Sequence, residues 1–130
     1  MKTSFVLVLA LLTLACTKPQ PPKISATVTA KRKSGDTVAV TVTLRNLENR
    51  VTTPLQVSLS IQTREGDQWS KPEIIIQPAA FVLNRNEVNS RTANVKTSTD
   101  TLRTALAVKE SETGHVLKDE TAEISIPAQN

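Results

Sequence analysis

The sequence predicts an all-β domain of two packed antiparallel sheets, and three observations carry the prediction. From Ile24 onward apolar side chains return at every second position, the period that sends alternate residues to opposite faces of a sheet. The apolar runs are short and are separated by polar, Gly-bearing or Pro-bearing segments, and none of them carries a convincing helical repeat. Cys16 is the only cysteine and tyrosine is absent, so the core must rest on aliphatic packing, with no disulfide and no tyrosine corner.

Taken in order, Ile24, Ala26, Val28 and Ala30 form the first inward-facing set. A polar turn is expected over Lys31, Arg32, Lys33, Ser34, Gly35 and Asp36. Val38, Val40, Val42 and Leu44 then point inward while Thr41, Thr43 and Arg45 face out. Leu55, Val57, Leu59 and Ile61 alternate with Gln56, Ser58, Ser60 and Gln62, the pattern of a strand with one face buried and the other solvated. Residues 64–68 read as a turn before Trp69. Residues 73–77 are a β-branched run between Pro72 and Pro78, and those prolines place it at an edge or where a strand changes sheet. Phe81 and Leu83 precede the polar turn Asn84, Arg85, Asn86 and Glu87, and a strand around residues 92–96 turns Ala93 and Val95 inward. A polar loop over residues 97–101 leads to Leu102, Thr104, Leu106 and Val108. Ser111 to Gly114 close a hairpin, and residues 115–117 with Ala122, Ile124 and Ile126 supply the last strand before Pro127. Short strands at this spacing predict an immunoglobulin-like antiparallel β-sandwich of about seven strands.

The start of the chain is of another kind. Lys2 is followed by an apolar stretch from Phe5 to Ala15, the layout of a secretory signal, and the stretch is shorter than the roughly 20 residues that a membrane-spanning helix needs. Leu12-Thr13-Leu14-Ala15-Cys16 resembles the bacterial lipobox. That resemblance implies that Cys16 is acylated on sulfur and, after cleavage on its amino side, becomes the first residue of the mature protein. Thr17, where Asp would signal retention, resembles the sorting pattern for delivery to a Gram-negative outer membrane. Residues 17–23 carry three prolines and no large apolar side chain, so an extended tether of about 20 Å is expected. The expected organisation is a signal peptide over residues 1–15, a lipidated cysteine and Pro-rich tether over 16–23, and a β-sandwich domain over 24–127.

Composition narrows the function. A formal net charge of +4 is mild, and Phe5, Trp69 and Phe81 are the only aromatic residues, so no stacking platform for nucleic acid is available. No nucleic-acid partner is expected. Catalysis needs a base, a nucleophile or a metal cluster. His115 is the only histidine and sits beside Gly114, where an exposed turn residue is expected, the alternative being a pH-sensing or ligand role. No acidic pair has ligand spacing and no serine stands in a nucleophile elbow, so catalytic residues, metal and cofactor are all expected to be none. Glu110, Glu112, Asp119, Glu120 and Glu123 form an acidic cluster, and Lys31, Arg32 and Lys33 a basic one; each reads as solvated charge, or else as a docking patch. Trp69 reads as a buried plug, or else as an exposed contact.

The order of segments in the middle of the chain is similar to a known one. Val38 to Asn46, Leu55 to Ile61, Glu73 to Glu87 and Leu102 to Val108 run strand, proline, small apolar pair, strand, polar turn, which resembles the amino-terminal domain of periplasmic chaperones of the chaperone-usher type. In size and strand order the chain also resembles the curli-type amyloid-subunit inhibitors. These resemblances imply a non-enzymatic module outside the cytoplasm that binds an exported polypeptide through a sheet edge or face, held to membrane lipid through Cys16. A structural accessory lipoprotein of an envelope machine, such as a pilus or secretion system, is the second reading. The two differ in stoichiometry: a fixed link co-purifies with a membrane complex at constant ratio, whereas a holder binds free subunits transiently.

Overall fold

Nine strands and no helix run through residues 20–128, the part of the chain that the computed structural model describes. The expected signal peptide and Cys16 lie outside the described residues. One sheet has the order β1 (Ile24–Ser34), β2 (Thr37–Asn46), β7 (Val88–Lys96). In the other, β3 (Leu55–Glu65) pairs β8 (Thr101–Glu110), and β8 pairs β9 (Val116–Ser125). The free side of β3 is taken by three short pieces in succession, β4 (Gln68–Trp69), β5 (Glu73–Ile76) and β6 (Ala80–Phe81). Every pairing is antiparallel. Since β4, β5 and β6 together do the work of one interrupted edge strand, the sandwich has seven strand positions, and it is immunoglobulin-like, all-β and free of disulfides as expected. Pro72 and Pro78 fall in the two breaks flanking β5, where no ladder needs their missing N–H.

Alternation decides which side chains meet. Val38, Val40, Val42 and Leu44 of β2 lie fully buried against Leu55, Val57, Leu59 and Ile61 of β3 and Leu102, Leu106 and Val108 of β8. Each such side chain stabilises the fold by about 1.5–3 kcal/mol relative to leaving it in water. The edge strands contribute less. Ile24, Ala26, Val28 and Ala30 on β1, and Ala122 and Ile124 on β9, are only partly buried.

Two turns are shorter than the sequence suggests. The ladder between β1 and β2 runs on to Ser34 and Thr37, so the chain reverses over Gly35 and Asp36 alone, and β3 reverses over Gly66 and Asp67. Gly35 and Gly66 hold φ at +44° and +63°, the left-handed conformation that two-residue hairpins demand because their twist then matches that of the strands. Lys31, Arg32 and Lys33 are therefore strand residues, with the register shift between Arg32 and Ser34 leaving Lys33 as the extra residue of a bulge.

Asn46 organises the opposite end. It is fully buried, and its Nδ2 donates to the carbonyls of Arg50 (2.7 Å) and Asn84 (2.9 Å) while its Oδ1 accepts from the Glu48 N–H (3.0 Å). Thr52 completes the junction: its Oγ1 accepts from the Leu83 N–H at 2.9 Å, and its own N–H donates to the Leu83 carbonyl at 2.9 Å. The loop over residues 47–54 is thus stitched to residues 82–87, where Asn86 takes a positive φ of 56° that asparagine tolerates better than most residues. No buried side-chain nitrogen or oxygen among the described residues lacks a partner.

The segment expected to stand off as a tether lies on this same loop. The Lys23 carbonyl accepts from the Leu47 N–H at 3.0 Å, and the Gln20 carbonyl accepts from Arg50 Nη2 at 3.3 Å. Arg50 Nε also donates to the Glu48 carboxylate. That bond is the chief reason the Glu48 carboxyl titrates below the ordinary carboxylate range, with attraction to Arg50, a hydrogen bond from the Lys23 backbone and attraction to Lys23 adding to it. The carboxylate form, and the pairing with it, persists above that lowered value and is lost only as the pH falls through it.

Replacing Asn46 by Ala leaves two carbonyls and one N–H at this junction without their partner. Water reaches these part-buried groups, so each costs about 1 kcal/mol, the low end of the usual range, and a loss of about 3 kcal/mol is expected. In a thermal melt of the mature protein it should lower Tm by about 10–20 °C.

Candidate functional site

A two-sheet sandwich that is not closed into a barrel has two lateral seams where an edge strand of one sheet passes an edge strand of the other. They are built differently here. Along the seam between β7 and the β5–β6 edge, Arg91 shares the inward face of β7 with Ala93 and Val95, and its guanidinium lies 4.4 Å from the ring centroid of Phe81. A cationic group stacked on an aromatic face covers that side.

The seam between β1 and β9 is open. The two strands lie against each other without joining in a ladder, each hydrogen-bonded to its own sheet on one side only. Between them is a cavity of about 300 Å³, walled by Ala26 and Val28 of β1 and by Ala122 and Ile124 of β9, with Thr104 and Leu106 of β8 as its floor. The sequence makes this gap. Inward positions that carry Val or Leu on the central strands carry Ala at 26 and 122, and the side chains lost there are not replaced by others. Thr104 is buried but satisfied, its Oγ1 donating to the Ala122 carbonyl at 3.3 Å, so the floor presents no orphaned polar group.

One end of the seam is charged. Alternation along β9 puts Lys118 and Glu120 on the same inward side as Ala122 and Ile124, and the two form a salt bridge at 3.1 Å. Inward-pointing charges on an edge strand are a device that discourages indiscriminate strand pairing. The arrangement can therefore accept an extended chain along an unpaired backbone edge, lodge one or two apolar side chains in the gap, and penalise partners that offer apolar groups opposite Lys118 and Glu120.

Other residues singled out from the sequence fall elsewhere. Trp69 is not a core plug. It is half-buried opposite Arg64 on β4, on the outer face of the second sheet, with the Arg103 guanidinium 4.3 Å and that of Arg64 5.7 Å from its ring centroid. It faces outward because β3 directs Gln62 and Arg64 out, and Trp69 pairs directly with Arg64. The acidic cluster is dispersed. Glu110 accepts from Thr53 Oγ1 (2.9 Å), Glu120 faces the seam, and Glu123 bridges outward to Arg103 (3.3 Å). The basic cluster is split as well. Arg32 is turned inward as a clamp, Nη1 donating to the carbonyls of Gly35 (2.8 Å) and Thr97 (2.9 Å) and Nη2 to that of Thr99 (2.7 Å), with Asp100 at 3.8 Å. Lys31 and Lys33 remain exposed. His115 is exposed in the last hairpin, where its N–H donates to Thr113 Oγ1 at 3.2 Å. Among the described residues no group of three or more His, Cys, Asp or Glu side chains could hold a metal ion. Sequence reasoning missed the seam itself; the only signal for it was the pair of alanines at inward positions of the first and last strands.

No protein-family model and no curated protein matches the sequence. Solved structures do match. The chain is similar to a domain of the outer membrane lipoprotein Omp28 from Porphyromonas gingivalis, with 14% identity over 88% of this chain and 96% of that one and a TM-score of 0.56. It is also similar to the CARDB domain of PF1109 from Pyrococcus furiosus in solution, with 15% identity over 83% of this chain and 97% of that one and a TM-score of 0.54. The crystal structure of that CARDB domain in complex with di-metal ions matches at 15% identity over 85% and 95% of the two chains, with a TM-score of 0.51. At these identities the likeness is one of fold, and it agrees with the sandwich seen here. The resemblance to chaperones of the chaperone-usher type remains one of sequence pattern.

An open gap and a packed core respond oppositely to side-chain size. Ala122→Leu should be accommodated within about 1 kcal/mol, because the added atoms enter space already present. Leu106→Ala, on the floor, should cost about 2–4 kcal/mol. Urea unfolding midpoints of the two variants check this pair of expectations.

Proposed function

We propose that this chain is a lipid-anchored protein of the cell envelope whose sandwich is a non-enzymatic binding module, taking an extended segment of an exported polypeptide at the β1/β9 seam. The observation that carries the reading is the seam: two unpaired strand edges flanking a gap, walled by Ala26, Val28, Ala122 and Ile124 and bounded at one end by Lys118 and Glu120, that the protein's own side chains leave unfilled. A segment laid along β1 or β9 completes that edge's hydrogen bonds, and alternate side chains of the segment point toward the gap. About 300 Å³ suits a medium-sized aliphatic side chain or two. The lipobox-like residues ending at Cys16 support the location, since acyl chains gain about 0.8 kcal/mol per buried methylene and two or more hold a protein to a membrane durably. The fold's likeness to a domain of an outer membrane lipoprotein supports the same location. Facing the periplasm from the outer membrane is the placement that fits Thr17 in a Gram-negative cell.

Two measurements test the reading. A photoreactive amino acid in place of Thr27, at the seam, should cross-link to exported polypeptides in living cells. The same group in place of Thr92, on the outer face of the first sheet, should not; equal yields at both positions would remove the seam from consideration. Cells fed an alkyne-bearing palmitate should label the wild-type protein, and Cys16→Ala should abolish that label.

A further inference from the structure

Six large apolar side chains stand exposed among the described residues, and five of them, Leu47, Val51, Val82, Val88 and Val116, belong to one end of the sandwich. The connections of the chain bring them there. Leu47 and Val51 lie on the β2–β3 loop, and Val82 lies on the β6–β7 loop stitched to it through Thr52 and Leu83. Val88 and Val116 begin β7 and β9 at that same end, paired with Arg45 and Lys109. The other end is made of the Gly35–Asp36 and Gly66–Asp67 turns and the loop over residues 97–100, and it exposes none of the six. Scattered exposed valines need no explanation, but five of the six at one end make it the more apolar end, and Leu47, Val51 and Val82 among them lie on loops bonded to each other.

The chain also enters at this end. Lys23 and Gln20 are hydrogen-bonded to Leu47 and Arg50 of the very loop that carries the apolar side chains. Cys16 precedes Gln20 by four residues, a reach of at most about 14 Å even when fully extended. The strands run for ten residues or so away from this point, roughly 33 Å.

We propose that this end of the sandwich docks on the lipid surface, with Leu47, Val51 and Val82 entering the headgroup layer beside the acyl chains of Cys16 and the strands standing away from the membrane. The inference rests on the lipid anchor proposed above. An anchor within so short a reach makes the contact effectively intramolecular, so apolar side chains too few to bind a free protein to a membrane suffice. Lys23, Arg45 and Arg85 are exposed around the same end and can face anionic headgroups. Arg50 is held by Glu48, and the carboxylates Glu87, Glu110 and Glu112 share this end, so the contact rests on the apolar side chains and the nearby anchor more than on charge. Docked in this way, the domain holds the β1/β9 seam lengthwise along the membrane normal, open from the side.

The test uses the mature, acylated protein in vesicles of phosphatidylethanolamine and phosphatidylglycerol. With the Cys16 thiol occupied by its lipid, a cysteine introduced as Val51→Cys, or as Ser98→Cys at the far end, takes a single environment-sensitive thiol probe. Flotation with the vesicles is scored first. Doxyl-labelled lipids should then quench the probe at position 51 at least about threefold more strongly than at position 98, as expected for side chains about 5–10 Å into the headgroup boundary. Protein that fails to float overturns the anchor and this inference together. Protein that floats with both positions equally unquenched overturns this inference alone and leaves the anchor standing. Shielding of position 51 that depends on protein concentration and is unaffected by doxyl lipid assigns the surface to a second copy, and the lipid contact falls.

Discussion

A single aliphatic layer holds this protein together. Val38 to Leu44 on β2 press against β3 and β8, and no covalent cross-link shares the load because the chain has one cysteine. A layer built on so few strands is dense in the middle and thin at the margins. The central strands present Val, Leu and Ile at almost every inward position, Thr104 on β8 being an exception, whereas β1 and β9 present Ala, Lys and Glu among their inward residues. The seam between β1 and β9 follows directly: apolar bulk was spent in the centre, and the margin was left with small or charged side chains.

The two margins meet the problem of exposed edges in different ways. Beside β7, Arg91 lies over Phe81 and three short strand pieces with prolines in the gaps between them replace one continuous edge. Interruption and a stacked cation make that side a poor template for another strand. Beside β1, the edge runs without a bulge from Ile24 to Arg32, and protection lies at its two ends, Lys118 and Glu120 at one and the Lys33 bulge with exposed Lys31 at the other. The difference between the margins is the reason that a binding role is assigned to one and not to the other.

A second asymmetry runs along the strands. The end organised by Asn46 joins the loop over residues 47–54 to residues 83–84 through one buried amide, and that end exposes five of the six large apolar side chains that the described residues show to solvent. The other end is tied by Arg32, whose guanidinium bonds three carbonyls, and it is polar. Side-chain hydrogen bonds to the backbone thus set the shape of both ends, while the aliphatic layer sets only the middle. Rigid loops at the Asn46 end matter for a lipid contact, since side chains held in place lose less freedom on insertion than mobile ones.

By itself the sequence determined the fold class and most strand positions, because alternation is a local property: Val38 to Leu44 or Leu55 to Ile61 have one apolar face however the strands are later arranged. It also marked the edge run between Pro72 and Pro78, since a proline's missing N–H is a fact about one residue. Tertiary structure decided whatever depended on two distant segments. Trp69 faces out because it pairs with Arg64, and Arg32 serves as a clamp because residues 97–100 arrive beside it. The acidic residues that are neighbours in sequence part company because alternation along β9 sends Glu120 and Glu123 to opposite faces. The seam, likewise, is a property of the space between the first and last strands, and only their packing makes a cavity of two alanines about a hundred residues apart.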